Sequence, residues 1–358
     1  MDSPEIVVTI GPSSDSVTTL KSLKSAGATS FRINLSHSTL DSVETLLQNF
    51  AEANVPASID TQGAQLRTSS CSDVSSYVIG QDINFSFLGL EYGENDHISF
   101  LLNHSEAFNQ LSLGDLVRVD FEGLIFKITD ISSSIISARV IQPGIIKPNK
   151  AVDIIGKRIL LNPFTSFDLS VLEAFAGRDI RSIYVSFANK AKDIHLLRSF
   201  LRQYSYPQDT QVIAKIETIE ALANLPEIMS VVDGVLIDRG DLSREISISK
   251  IPYAVDSVIK LAKSSNTRSY VATNVLDTMI TSSLPSRAEI SDLHSLIHKG
   301  ISGIVLAAEV AIGNNPVNCV HVVKHMQSVC GYESLGLSSL IPRSFQSTNL
   351  PPELQEWL

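Results

Sequence analysis

Short apolar runs rich in β-branched residues alternate with stretches of helical period over most of the chain. Ile6–Ile10 (I-V-V-T-I) reads as a strand stopped by Gly11-Pro12. Ser13–Ser16 then offer N-cap chemistry for a helix whose apolar face is Leu20, Leu23 and Ala26 and which Gly27 ends. Thr29–Leu35 (T-S-F-R-I-N-L) is a second strand, followed by a helix over Leu40–Ala53; Pro56–Ile59 is a third, ending in Asp60-Thr61-Gln62-Gly63. Further along, the pattern predicts strands at Ser182–Phe187, Val212–Glu217, Val235–Asp238, Tyr270–Val275 and Gly303–Ala308. Helices are expected at Phe167–Ala176, Lys190–Gln203, Tyr253–Lys263, Ser286–His298 and Pro316–Val329. Eight strand–helix beats are the count of a (β/α)8 barrel.

The rhythm breaks between the third and fourth beats. From about Ser69 to Asn149 the helical period vanishes and short alternating strands take over (I-N-F-S-F, H-I-S-F-L-L, L-V-R-V-D-F, S-I-I-S-A-R-V-I). The expected architecture is therefore an α/β TIM barrel with an all-β lid domain inserted after the third strand. Its domains would be 1–68 and 150–330 for the barrel, 69–149 for the lid and 331–358 for a C-terminal tail.

Charge concentrates where the apolar runs stop, which is where barrel enzymes hold their chemistry. V-I-A-K-I-E closes on Lys215 and Glu217, and V-L-I-D-R-G-D closes on Asp238, Arg239 and Asp241. Residues two apart on a strand share a face, so Lys215 and Glu217 project together, as do Arg32 and Asn34, with Ser36 continuing their line. Asp60, Thr61, Thr273 and Glu309 complete the polar strand ends. Carboxylates on neighbouring strands suit a divalent ion that keeps several waters, most simply Mg2+. A lysine and an arginine beside them suit a phosphate or carboxylate substrate, and Gly240 lets backbone N–H groups approach an anion. The set fits electrostatic catalysis of phosphoryl transfer or of enolate chemistry. Each pair alone also fits a plainer role: Lys215 and Glu217 a solvated ion pair, Asp241 a helix cap. His294 and His298, four apart on a helix, read as surface. Neither a P-loop nor a G-x-G-x-x-G turn is present, so a nucleotide would be held by other means.

Composition narrows the class. Net charge is -10, which argues against a general nucleic-acid binder. Three cysteines without a C-x-x-C argue against a disulfide framework or a zinc site. No apolar run approaches the ~18 residues of a membrane span, and M-D-S-P-E lacks the marks of a signal peptide. A soluble cytoplasmic protein without nucleic-acid or membrane partners is expected; homo-oligomerisation stays open.

With these motifs in order, the chain resembles the pyruvate kinase family. T-I-G-P-S-S, F-R-I-N-L-S-H, I-D-T-Q-G-A-Q-L-R-T, A-K-I-E, R-G-D-L, A-T-N-V-L-D-T-M and P-S-R-A-E follow in family order from about Ile6 to Val329, and the β insertion is similar to the family's lid. The resemblance implies phosphoryl transfer from phosphoenolpyruvate to ADP, with Mg2+ or Mn2+, K+, and ADP/ATP as co-substrate. It gives Lys215 the neutralisation of the transferring phosphoryl group and Glu217 and Asp241 the Mg2+ or Mn2+ ion. Backbone at Gly240 and Asp241, with Thr273, would hold the carboxylate of phosphoenolpyruvate or pyruvate, Thr273 also lying near the carbon that is protonated. Arg32 would contact phosphate. Asn34, Ser36, Asp60 and Thr61 match potassium ligands, and Pro12, His37 and Lys150 match nucleotide contacts. The family's separate C-terminal domain is not expected in the short remaining tail.

The departures fall mainly on the nucleotide side. A-A-E-V-A-I-G stands for the family's S-G-E-T-A-K-G, so Ala307 and Val310 remove hydroxyls and Ile312 replaces a lysine. Ser42 stands for a tyrosine, Gln62 and Gln65 for a lysine and a glutamate, and Asp238 for a small residue; Glu122 sits in a lid turn one residue longer than the family's. Two other readings therefore remain beside the kinase: a metal-dependent pyruvate-enolate enzyme (lyase, decarboxylase or transferase) with another acceptor, and a non-catalytic regulatory protein.

Overall fold

The computed structural model describes residues 3–71, 75–93, 96–120 and 123–331. Glu122 and the tail from 332 onward lie outside the described residues. The eight barrel strands are β1 (Glu5–Ile10), β2 (Ser30–Asn34), β3 (Ala57–Asp60), β4 (Ile180–Val185), β5 (Gln211–Ile216), β6 (Gly234–Asp238), β7 (Arg268–Ala272) and β8 (Gly303–Leu306). They close in the order β1-β8-β7-β6-β5-β4-β3-β2, the order of a (β/α)8 barrel. Parallel strands covered on both faces carry continuous apolar sequence, and here Val7, Val8, Ile213, Ala214, Leu236 and Ile237 are fully buried.

The chain divides into two compact units: residues 1–32, 46–57 and 268 onward, and residues 33–45 and 58–267. In the first, β1 pairs with β8 (Val7↔Val305) and β7 with β8 (Val271↔Ile304). Ser16 caps the helix Val17–Ala26 by accepting from Thr19 N, and Gly27 ends it in the left-handed region at φ 116°. In P-S-R-A-E, the Ser286 hydroxyl accepts from Glu289 N while the Glu289 carboxylate accepts from Ser286 N, a reciprocal cap that starts the helix Arg287–His298.

In the second unit, β4 pairs with β5 and β5 with β6 (Lys215↔Leu236). The inserted domain forms a seven-stranded sheet and a two-stranded one. Phe85, Phe87, Phe100 and Phe126 fill its core; the rings of Phe85 and Phe100 stack at 5.2 Å. Asp82–Phe87 pairs in parallel with Phe100–Leu102, and Val152–Ile154 joins the sheet antiparallel to Leu116–Val119.

Candidate active site

Lys215 sits at the end of β5, and its ammonium is ringed by carboxylates. The strand is so well covered that Lys215 is only 7% exposed and Glu217 1%. Alternation brings both side chains to one face, where Lys215 Nζ lies 2.8 Å from Glu217 Oε1. The same nitrogen lies 3.5 Å from Asp60 Oδ1 and 3.6 Å from Asp238 Oδ2, and donates to Ser186 Oγ at 3.1 Å. The end of β4 frames this ring. Ser186 Oγ donates to Asp60 Oδ1 (3.2 Å), Ser186 N donates to Thr61 Oγ1 (3.0 Å), and Phe187 N donates to Glu217 Oε2 (2.6 Å). Phe187 holds φ at 53°, a left-handed setting uncommon outside glycine.

β6 delivers the other carboxylates. Asp238 caps the short helix Arg239–Glu245 by accepting from Gly240 N at 3.2 Å, and Asp241 lies in that helix's first turn. One carboxylate oxygen each from Glu217, Asp238 and Asp241 lies within 4.8 Å of the others. Burial and mutual repulsion make this cluster hungry for a cation. Burial, with Asp241 and Asp238 adding, pushes the Glu217 carboxyl up to about 8 despite Lys215. Burial, then Asp238, pushes Asp241 above the usual carboxylate range, against Lys215, Arg244 and Arg67. Glu217 Oε1 is buried and has the Lys215 ammonium, at 2.8 Å, as its neighbour. An all-oxygen donor set of three clustered carboxylates fits a hard divalent cation.

β2 stops at Asn34, whose side chain accepts from Ser36 N (3.0 Å), and Leu35–His37 turns as a 3-10 helix. Ser36 therefore does not continue the strand face as the alternation implied: the Asn34 side chain caps the turn and bends the chain first. Gln62 Nε2 donates to Leu35 O (3.1 Å), tying the turn after β3 to this one. Burial, then the neighbouring Arg67, lowers the His37 pKa below its ordinary value, with Asp60 opposing. Lys150 pairs with Asp120 at 2.8 Å. Ser42 Oγ accepts from Thr39 N and donates to Thr39 O, both at 2.8 Å, engaged at the start of its own helix.

The first unit carries the rest. Arg32 is buried on β2, and its Nε and Nη2 donate to Thr9 Oγ1 at 3.0 and 2.7 Å. Thr273 and Asn274, just past β7, take φ 71° and 55° in succession; a β-branched residue there is a strained outlier of the kind that clusters at working sites. Pro12 is exposed in the turn after β1, where Ser13 N donates to Ala311 O (3.0 Å). Glu309 is not at a strand end. β8 stops at Leu306, and the Glu309 carboxylate accepts from Leu276 N (3.1 Å) and Ala307 N (2.8 Å). Ile312 is 58% exposed.

Sequence reasoning passed over several residues. Ser186 and Phe187 supply the O–H and N–H that hold the ring, signalled only by a polar residue ending β4. Arg67 lies near the end of D-T-Q-G-A-Q-L-R-T; burial lowers its guanidinium pKa, with the charges of Asp241 and Glu217 opposing and that of Arg244 adding. Asp168 is buried and accepts from Gln62 N (2.7 Å), Gly63 N (3.1 Å) and Thr165 N (2.9 Å), which fixes the turn after β3.

Known proteins resemble this chain over most of its length. The family description "Pyruvate kinase, barrel domain" matches residues 1–320. Plastidial pyruvate kinase 3 of Arabidopsis thaliana is 30% identical over 89% of this chain and 56% of its own length. A pyruvate kinase of Aeropyrum pernix is 28% identical over 98% of this chain and 75% of its own. Among solved structures, a pyruvate kinase from Cryptosporidium parvum superposes with a TM-score of 0.78 at 26% identity, covering 95% of this chain and 73% of that one. The chain spans little more than half the length of the plant relatives. The family description that matches residues 1–320, on a closed barrel with an inserted β domain, leads to one conclusion: this chain belongs to the pyruvate kinase family.

Proposed function

We propose that the chain transfers a phosphoryl group from phosphoenolpyruvate to ADP, giving pyruvate and ATP. The observation that carries the reading is the buried ammonium of Lys215 set against Glu217, Asp238 and Asp60. Glu217 and Asp241, joined by Asp238, would hold Mg2+ or Mn2+; bound there, the ion would supply Lewis-acid polarisation of substrate oxygens. Lys215 would meet charge on the transferring group. Buried and already held by three carboxylates and Ser186, it needs little rearrangement as charge develops. Backbone N–H groups at Gly240 and Asp241 would bind the substrate carboxylate. Asn34, Ser36, Asp60 and Thr61 are proposed for K+, and His37 and Lys150 for nucleotide. In the first unit, Arg32 is proposed for phosphate, Thr273 for carboxylate and proton delivery, and Pro12 for nucleotide.

The test is pyruvate formation from phosphoenolpyruvate and ADP with Mg2+, run on wild type and Lys215→Met. Activity abolished in the variant supports the reading. A folded wild type that binds metal yet makes no pyruvate at high enzyme concentration overturns it.

A second reading is favoured by Ser42, whose hydroxyl is engaged in its own helix cap, and by Ile312, an exposed apolar residue. On it, the centre stabilises the pyruvate enolate for another acceptor. Exchange of pyruvate methyl protons that needs metal but no ADP supports it; no exchange counts against it.

A further inference from the structure

We propose that Arg244 is a positioning residue through which the inserted β domain controls how open Asp241 is to a divalent cation. The inference rests on the metal reading of Glu217, Asp238 and Asp241. Arg244 lies one turn past Asp241 on the helix Arg239–Glu245, and its side chain is only 7% exposed. A guanidinium stays charged and needs carboxylate partners when buried. Asp153 and Asp241 are both within reach, and it uses them unequally. Nη2 donates to Asp153 Oδ2 at 2.6 Å, while Nη1 stands off at 4.0 Å from Asp241 Oδ1. Asp153 is fixed by its own sheet. It lies on Val152–Ile154, directly across from Arg118, whose Nη2 donates to the same Oδ2 at 3.2 Å.

The geometry is a competition for one cation. While Val152–Ile154 holds Asp153 in place, Arg244 is drawn off Asp241, and the Asp241 oxygens stay available to a metal. Remove the Asp153 charge, and Asp241, one helical turn away, is left as a carboxylate Arg244 can turn to. An Arg–carboxylate fork there would occupy the oxygens the metal needs. Coupling between sites is reciprocal, so a metal on Asp241 drives Arg244 toward Asp153 and seats the strand more firmly.

The experiment titrates Mn2+ by the loss of its free paramagnetic signal on wild type, Asp153→Asn, Arg244→Gln and the double variant, with thermal melts to confirm folding. Asp153→Asn is expected to weaken Mn2+ binding about 5- to 10-fold, within the ordinary range of site-to-site coupling. Arg244→Gln is expected to bind Mn2+ no more weakly than wild type, and the double variant to match it within about twofold. Equal weakening by Asp153→Asn in both backgrounds, or none in either, overturns the proposal. Should Arg244→Gln fail to fold, amide exchange on Val152–Ile154 decides. Mn2+ should slow exchange there in wild type and not in Asp153→Asn; no slowing in wild type overturns the proposal. Wild type that binds no Mn2+ overturns the metal reading itself, whereas additive variants with normal wild-type binding overturn only the role of Arg244.

Discussion

Lys215 is outnumbered. Three carboxylates lie within 3.6 Å of its ammonium, and Asp241 belongs to the same cluster. Removing the lysine should therefore affect chemistry and metal binding in opposite directions. Lys215→Met is expected to lower kcat by about 10²–10³-fold and to leave Mn2+ binding as tight as before or tighter; kinetics and metal titration on one preparation check both. Asp238 should matter for metal binding. Asp238→Asn keeps the cap on Gly240 N but removes one of the clustered charges. It is expected to weaken Mn2+ binding about tenfold, the equivalent of 1.4 kcal/mol. Binding unchanged in Asp238→Asn would leave Asp238 as a cap only.

The Glu217 carboxyl gives a pH dependence of definite sign. Its value of about 8 lies above the ordinary 4.5, so the metal-free fold binds the proton more tightly than the unfolded chain does. The stability this contributes is full below about pH 4.5 and is lost as pH rises through about 8. A divalent ion takes the proton's place, so metal affinity falls as pH drops below about 8. The rise in Tm caused by Mn2+ should accordingly be larger at pH 8.5 than at pH 6.5, read from melts with and without metal. An equal rise at both would contradict this placement of Glu217.

At the scale of elements, the strands were legible because their apolar β-branched runs end abruptly in charge, and each barrel strand lies within a few residues of its sequence-based position. Elements too short to show a period were not. The helices Arg239–Glu245 and Ala308–Ala311 have 7 and 4 residues and present no complete face. Hence Asp241 and Glu309 read as residues at strand ends, whereas both lie on short helices. Gly144–Ile146 and Val152–Ile154, of 3 residues each, are too brief for an alternation to show. Asp168 was hidden for another reason: its capping box with Thr165 looks local, while its reach to Gln62 and Gly63 crosses more than a hundred residues. The turn it holds also depends on Gly63, at φ 71°, where an added Cβ would stand 2.5 Å from Ser186 O. Gly63→Ala meets both a backbone clash and left-handed strain, and should cost about 2–4 kcal/mol in denaturant unfolding. A loss under about 0.5 kcal/mol would show that the turn yields easily.

For the molecule as a whole, the barrel and the inserted domain explain where the charge sits. Strands buried on both faces leave their ends as the place where polar groups collect, and the catalytic residues proposed in the second unit lie there. Among the described residues no helix is long and apolar enough to cross a membrane. Among the described residues Cys319 and Cys330 form no disulfide, and burial, with Glu309 adding, pushes the Cys319 thiol up to about 12, so Cys319 is a packing residue rather than a nucleophile. Family membership carries the fold across to this chain; at about 30% identity the reaction stands on the centre itself. One measurement tests that most directly: pyruvate and ATP formed together from phosphoenolpyruvate and ADP, with and without Mg2+, by wild type and Lys215→Met. The account predicts one ATP for each pyruvate, only with metal and only with Lys215. A folded, metal-binding wild type that yields no pyruvate, or a Lys215→Met variant as active as wild type, would contradict it.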